Sequence, residues 1–171
     1  MSAAALREFH LPRLELLIAA GPDLLAVETI PDVDEAEVLV ELLDELAFPA
    51  WLSYSIEGNH TRAGQPLEAA FALAARSTAV VAVGVNCCAP GDVQTAVETA
   101  VAVTGKPAVA YPNSGEDWDA GGRRWTGGAT ASATLAHGWA AAGATYVGGC
   151  CRVGPGDISA LARALDTQNL A

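Results

Sequence analysis

The chain has 171 residues, 51% hydrophobic and 17% charged, enough for one sizeable core and too apolar for the disordered class. Nine basic residues against twenty acidic ones leave a net charge of -11, which argues against nucleic acid or an anionic membrane as partner, because both demand clustered cations. Apolar runs such as Ala79–Val85 fall far short of the roughly 20 residues of a membrane span, and the start MSAAALREFH lacks the apolar stretch of a secretory signal, so a cytoplasmic location is expected.

In chain order, Pro12 is expected to open a first helix carrying Leu14, Leu17 and Ile18. Leu24–Thr29 reads as a strand. Asp32 then caps a helix, with Glu35 at capping-box spacing and Leu39, Leu42, Leu43 and Leu46 forming one apolar stripe. Ala50–Ile56 is a strand, followed by a helix with Leu67, Ala70, Phe71 and Ala74 on one face. Ala79–Val85 is a strand; the next helix starts near Gly91, turns Val93, Ala96, Val97, Ala100 and Val101 inward, and stops at Gly105. Pro107–Tyr111 is a strand, then come a long loop and a helix near Thr130–Ala142. Ala144–Gly148 is the last strand, before a helix burying Ile158, Leu161, Ala162 and Leu165.

The order is therefore one helix and then five strand–helix units, with no linker or repeat, so residues 1–171 are taken as one domain. Near-continuously apolar strands alternating with helices predict right-handed crossovers and a parallel sheet. A doubly wound open sheet would gather its polar residues at one switch point, and no Gly-x-Gly-x-x-Gly follows the first strand. Here Glu28, Ser53, Ser55, Asn86 with Cys87-Cys88, Asn113–Glu116 and Cys150-Cys151 stand at the carboxyl ends of all five strands, as in barrel enzymes. The expected fold is α/β, a partial (β/α)8 TIM barrel of about five βα units with an extra amino-terminal helix.

The four cysteines form two adjacent pairs, Cys87-Cys88 and Cys150-Cys151. Disulfide scaffolds are shorter and richer in cysteine. Cys87 and the second pair end strands that are next-but-one neighbours, so their tips can meet across the barrel mouth. Three converging thiolates suit Zn²⁺ with one position left open. Alternate residues of a strand face opposite ways, so one of Cys87 and Cys88 is expected at the site, and Gly148-Gly149 let the chain leave strand geometry so that both Cys150 and Cys151 reach it. The competing reading is that of ordinary buried thiols.

These residues also carry a resemblance. GVNCCAP (Gly84–Pro90) and GGCCRVGPGDI (Gly148–Ile158) resemble the two zinc-binding segments of the homocysteine S-methyltransferase family. AVETIP (Ala26–Pro31), WLSYS (Trp51–Ser55) and YPNSGEDWD (Tyr111–Asp119) are similar to further segments, in the family's order. The resemblance implies Zn²⁺ held by Cys87, Cys150 and Cys151, with Cys88 a bystander. It implies transfer of a methyl group from a sulfonium donor, S-methylmethionine or S-adenosylmethionine, to L-homocysteine, giving methionine. It implies no catalytic residue beyond the zinc ligands.

Glu28 is read as the substrate-ammonium ligand, supported by AVETIP, or as a helix N-terminal charge. Asn86 is read as contacting substrate or orienting a zinc ligand, or as a turn residue. Ser53 and Ser55 line the mouth or fill it. Glu116, Asp117 and Asp119 with Trp118 and Trp125 are read mainly as a solvated acidic loop, with the aromatic pair as a candidate cation receptor. Arg152 is a weak candidate for steering a carboxylate, Asp157 is expected to cap the last helix, and His10, His60 and His137 are given no role. The family's first three strands have no counterpart here, which leaves Leu24–Thr29 and Ala144–Gly148 as open edges. A fragment of a normal enzyme, one half of a split enzyme completed by an amino-terminal partner chain, and a homo-oligomer joined through the edges all meet that condition. So does a catalytically inactive zinc-binding half-barrel.

Overall fold

The computed structural model describes residues 1–130 and 132–166. Helix α1 spans Ala3–Ala19 and starts at Ser2, whose hydroxyl accepts from the Ala5 amide. Pro12 lies inside α1 rather than at its start. The Ala, Leu, Arg and Glu residues ahead of it are strong helix formers and carry the helix through one missing amide. Leu6, His10 and Leu14 form its buried stripe, while Leu17 is 46% exposed.

Strand β1 (Leu25–Ile30) leads into α2 (Val33–Leu46). Asp32 caps α2 by accepting from the Asp34 amide, but Glu35 does not close the capping box; its carboxylate lies 2.9 Å from His10 Nε2 and ties α2 to α1. Strand β2 (Ala50–Tyr54) is followed by a small hairpin, β3 (Ile56–Glu57) and β4 (His60–Thr61), which places His60 in a strand, and then by α3 (Leu67–Ala72). Strand β5 (Val80–Asn86) runs through a short turn at Pro90–Asp92 into α4 (Val93–Thr104), which Gly105 ends at φ 65°. Strand β6 (Ala108–Tyr111) comes next. The expected long loop holds a second hairpin, β7 (Asp117–Asp119) and β8 (Arg124–Thr126). Trp118 faces Trp125 across it, with ring centroids 5.4 Å apart, and this cross-strand pair supplies the contact that orders the acidic segment. Helix α5 covers Ser132–Ala141; residue 131 of the expected Thr130–Ala142 helix lies outside the described residues, as do residues 167–171 of the expected domain. Strand β9 (Ala144–Val147) and α6 (Pro155–Asp166) complete the order.

The main sheet has five parallel strands in the order β1-β2-β5-β6-β9. Sheet order follows chain order without reversal, so right-handed crossovers put every helix on the same face. That is barrel winding, and the chain forms a partial (β/α)8 barrel. The core lies between sheet and helices, around Leu42, Leu43, Leu52, Tyr54, Phe71, Val83, Val85, Val97 and Trp139. The other, concave face carries Ala26, Glu28, Trp51, Gly84, Tyr111 and Tyr146 and is open, with Tyr146 55% exposed. Strands β1 and β9 are the sheet edges.

Candidate metal centre

The sulfurs of Cys87, Cys150 and Cys151 lie within 4.8 Å of one another, and that of Cys87 is 3.8 Å from that of Cys151, 64 residues away in sequence. Cys87 follows the last residue of β5 and sits at φ 53°, in the left-handed region, which turns the chain out of strand geometry at the sheet's end. Its amide donates to the Tyr111 carbonyl. Cys88 points the other way into the core, fully buried. On the far side β9 stops at Val147, and Gly148-Gly149 carry the chain into a turn. A Cβ on Gly149 would stand 2.1 Å from Val153 Cγ1, so only glycine allows the turn to close this tightly.

The segment after β6 is wedged between the two cysteine loops. The Cys150 amide donates to the Pro112 carbonyl, and Ser114 donates to the carbonyl of Cys151. Asn113 joins both sides: its amide donates to the Cys88 carbonyl, while its Oδ1 accepts from the Cys151 amide. Burial and the neighbouring Cys150 and Cys151 sulfurs push the Cys87 thiol up to about 12. Burial, with Asp92 nearby, pushes Cys88 to about 12 as well, and the Cys150 thiol is raised by burial and by Cys151. Without a cation, this cluster resists carrying several negative charges at once.

Asn86 is buried at 1% exposure with its side chain spent on protein partners. Its Oδ1 accepts from the Thr29 amide (2.8 Å) and the Ser53 hydroxyl (2.7 Å), and its Nδ2 donates to Thr29 Oγ1 (2.7 Å). It thus pins the ends of β1, β2 and β5 together and holds Thr29 at φ 61°, a rare conformation for a β-branched residue. The β1–β2 register shifts at this point. Ser55 reaches the Cys87 carbonyl at 3.5 Å.

Glu28, next to Thr29, projects from the concave face and accepts from the Tyr111 hydroxyl at 2.9 Å. The Tyr111 oxygen accepts in turn from the Trp51 indole at 3.0 Å. Burial, together with the Glu28 carboxylate, raises the Tyr111 phenol well above its usual range. Thr29, Tyr111, Trp51 and the linking role of Asn113 were not singled out from sequence. The signals for Tyr111 were its place at a strand end and at the head of the family-like segment YPNSGEDWD.

Glu116 accepts from Arg152 and from Ser114, and Arg152, at φ 62°, also lies 5.8 Å from the Trp125 ring. Arg152 and then Ser114 hold the Glu116 carboxyl below the usual carboxylate range. The carboxylate that Arg152 steers is therefore the chain's own. Asp157 accepts from the Gly154 amide at the start of α6, in the expected capping role. His60 and His137 are exposed.

A five-stranded parallel half-barrel, with a thiol cluster at the carboxyl ends of its strands, defines the class of site. A family profile described as homocysteine S-methyltransferase matches residues 1–165, and the chain belongs to that family. It is 44% identical over 167 residues to the homocysteine S-methyltransferase of Escherichia coli, covering 94% of this chain and 53% of that protein. It is 42% identical over 173 residues to homocysteine S-methyltransferase 4 of Zea mays, covering 96% and 51%. The crystal structure of the E. coli homocysteine methyltransferase MmuM in its apo form superposes with a TM-score of 0.82 at 39% identity, over 96% of this chain and 57% of that one. Its metallated form gives 0.81 at 40% identity, over 95% and 52%. The chain spans about half the length of the curated relatives it matches. Among the described residues, no helix is long and apolar enough to cross a membrane.

Proposed function

We propose that this chain carries the zinc-binding part of a homocysteine S-methyltransferase, serving methyl transfer from S-methylmethionine or S-adenosylmethionine to L-homocysteine. The observation that carries this reading is the meeting of three thiol sulfurs from two distant stretches at the mouth of the half-barrel. Zn–S bonds of about 2.3 Å in a tetrahedron set the sulfurs about 3.8 Å apart, and Cys87 and Cys151 already stand 3.8 Å apart. The donor set, all sulfur, suits Zn²⁺ and leaves one of four positions for substrate. That a metallated form has been solved for the E. coli relative supports metal binding here.

Cys87, Cys150 and Cys151 would hold the ion. When bound, Zn²⁺ supplies a Lewis-acid position at which the substrate thiol gives up its proton. Glu28 binds the substrate ammonium, and Asn86 contributes by fixing Thr29 and hence the end of β1. Methyl passes from the sulfonium sulfur to the homocysteine sulfur, and the electron pair of the broken S–CH₃ bond stays on the donor sulfur, which becomes neutral. No further general base is assigned; the chain's work is alignment. Residues 1–171 act as one homocysteine-binding-type domain, and a reducing cytoplasm suits the free thiols.

A second reading, a metal-holding half-barrel without turnover of its own, is favoured by the open concave face of the five-stranded sheet. Such a subunit would act with an amino-terminal partner chain or a second copy across the sheet edges. Zinc content and methionine formation from homocysteine and S-methylmethionine, measured on the purified chain, separate the readings. One zinc per chain with methionine produced supports the first. Zinc without methionine supports the second, and a chain that takes up no zinc defeats both.

A further inference from the structure

Tyr111 has two separate attachments. Its backbone carbonyl accepts from the Cys87 amide at the thiol cluster. Its side chain crosses the concave face to Glu28 on β1. The direction of each bond follows from chemistry. An indole N–H can only donate, so the phenol oxygen must accept from Trp51. The phenol's single proton is then free to go to Glu28 Oε2. The Trp51 and Tyr111 rings meet edge to face, with centroids 6.3 Å apart, which fixes the phenol's position. The backbone beside Glu28 is fixed independently, through Thr29 and Asn86. One carboxylate oxygen is thus occupied by Tyr111, and the carboxylate stands exposed on the concave face. The Trp51 and Tyr111 rings line a groove of about 290 Å³ together with Val109, Tyr146, Gly148 and Gly149, the last of which directly precedes Cys150 in the chain.

We infer that Trp51 and Tyr111 are positioning residues that aim Glu28 at the ammonium of an amino-acid thiol, and that Tyr111 sets the span between ammonium receptor and thiol cluster. This rests on the reading of the site as homocysteine-binding. A ligand with both groups, a thiol at one end of a short chain and an ammonium at the other, is selected over a thiol that lacks the ammonium. Tyr111→Phe keeps the ring and the backbone bond to Cys87 and removes the hydroxyl, and with it both the proton given to Glu28 and the oxygen that accepts from Trp51. A hydrogen bond to a charged group is worth about tenfold or more in affinity.

The test is calorimetric titration of the zinc-loaded chain with L-homocysteine and with 4-mercaptobutanoate, its analogue without the ammonium. The unaltered chain is expected to prefer homocysteine. Tyr111→Phe is expected to weaken homocysteine about tenfold, while zinc content and 4-mercaptobutanoate affinity stay within twofold. Equal losses for the two thiols, or no loss for either, overturn the assignment of Tyr111. An unaltered chain that holds zinc and binds neither thiol overturns the homocysteine reading itself, and this inference with it. In the metal-free chain, the Trp51 indole N–H resonance, identified with Trp51→Phe, is expected to move in Tyr111→Phe and Glu28→Gln; a stationary resonance overturns the bond chain.

Discussion

Thr29, Cys87 and Arg152 all sit at positive φ, near 61°, 53° and 62°, at the ends of three different strand units around one mouth. Each such non-glycine residue costs about 1–3 kcal/mol and persists only where its surroundings over-determine it. Here the clamps are visible: Asn86 holds Thr29, the Tyr111 carbonyl holds the Cys87 amide, and Glu116 with Trp125 holds Arg152. Asn86→Ala strands the Ser53 hydroxyl and the Thr29 amide together and is expected to destabilise the metal-free chain by about 3 kcal/mol, read from its urea midpoint. Asn113→Ala removes the acceptor for the Cys151 amide without touching a sulfur. It is expected to weaken zinc about tenfold in competition with a chromophoric chelator; an unchanged zinc affinity would show that the loop keeps its shape without Asn113. Cys87→Ser is expected to lose far more, whereas Cys88→Ala, buried away from the cluster, is expected to keep full zinc stoichiometry.

The elements are held at both ends of the sheet by different means. At the end opposite the cysteines, Asp44 on α2 accepts at one oxygen from the Ser77 hydroxyl and the Thr78 and Ala79 amides, docking the helix onto the start of β5. Partial burial pushes its carboxyl up, but the bonds from Ala79, Ser77 and Thr78 outweigh this and hold it below the usual range. A lowered carboxyl contributes stability that is present above the unfolded value and lost as pH falls through the folded one. Asp44→Ala is therefore expected to cost about 1 kcal/mol at pH 7, a figure reduced because the group is exposed and screened. The difference from the unaltered chain should narrow as pH falls below the usual carboxylate range and through the folded-state value of Asp44, where the folded and unfolded forms of the unaltered chain both bind the proton. Within β5, a Cβ on Gly84 would stand 1.8 Å from the Val109 carbonyl oxygen of β6. Gly84→Ala must push the two strands apart and is expected to cost about 3 kcal/mol in denaturant unfolding, with the cysteine geometry disturbed as well. Most elements were legible from apolar periodicity. The exceptions have causes: strong helix formers overrode Pro12 in α1, and the β7–β8 hairpin depends on Trp118 meeting Trp125, a contact with no local period.

For the whole molecule, in-order parallel winding puts all helices on one side and leaves the concave side bare. The candidate ligands come from two loops far apart in the chain, so a metal that binds only the folded form must stabilise all of it. At zinc a hundredfold above its dissociation constant the gain is about 2.7 kcal/mol, or a melting temperature about 5–10 °C higher for a domain of this size. Scanning calorimetry with zinc and then with chelator should show the rise and its reversal; an unmoved transition would mean that the sulfurs hold no metal in the folded chain.

Alternation of apolar strands with amphipathic helices determined the parallel sheet, and the paired cysteines at strand ends marked where its chemistry gathers, because burial and ligand type are written residue by residue. The commitment of Asn86 to Thr29 and Ser53, the link that Asn113 makes between the two cysteine loops, and the reach of Tyr111 from β6 to Glu28 on β1 were decided only in three dimensions. These depend on the curvature of the sheet and on left-handed turns at its end, and both arise from contacts between segments that no local pattern connects.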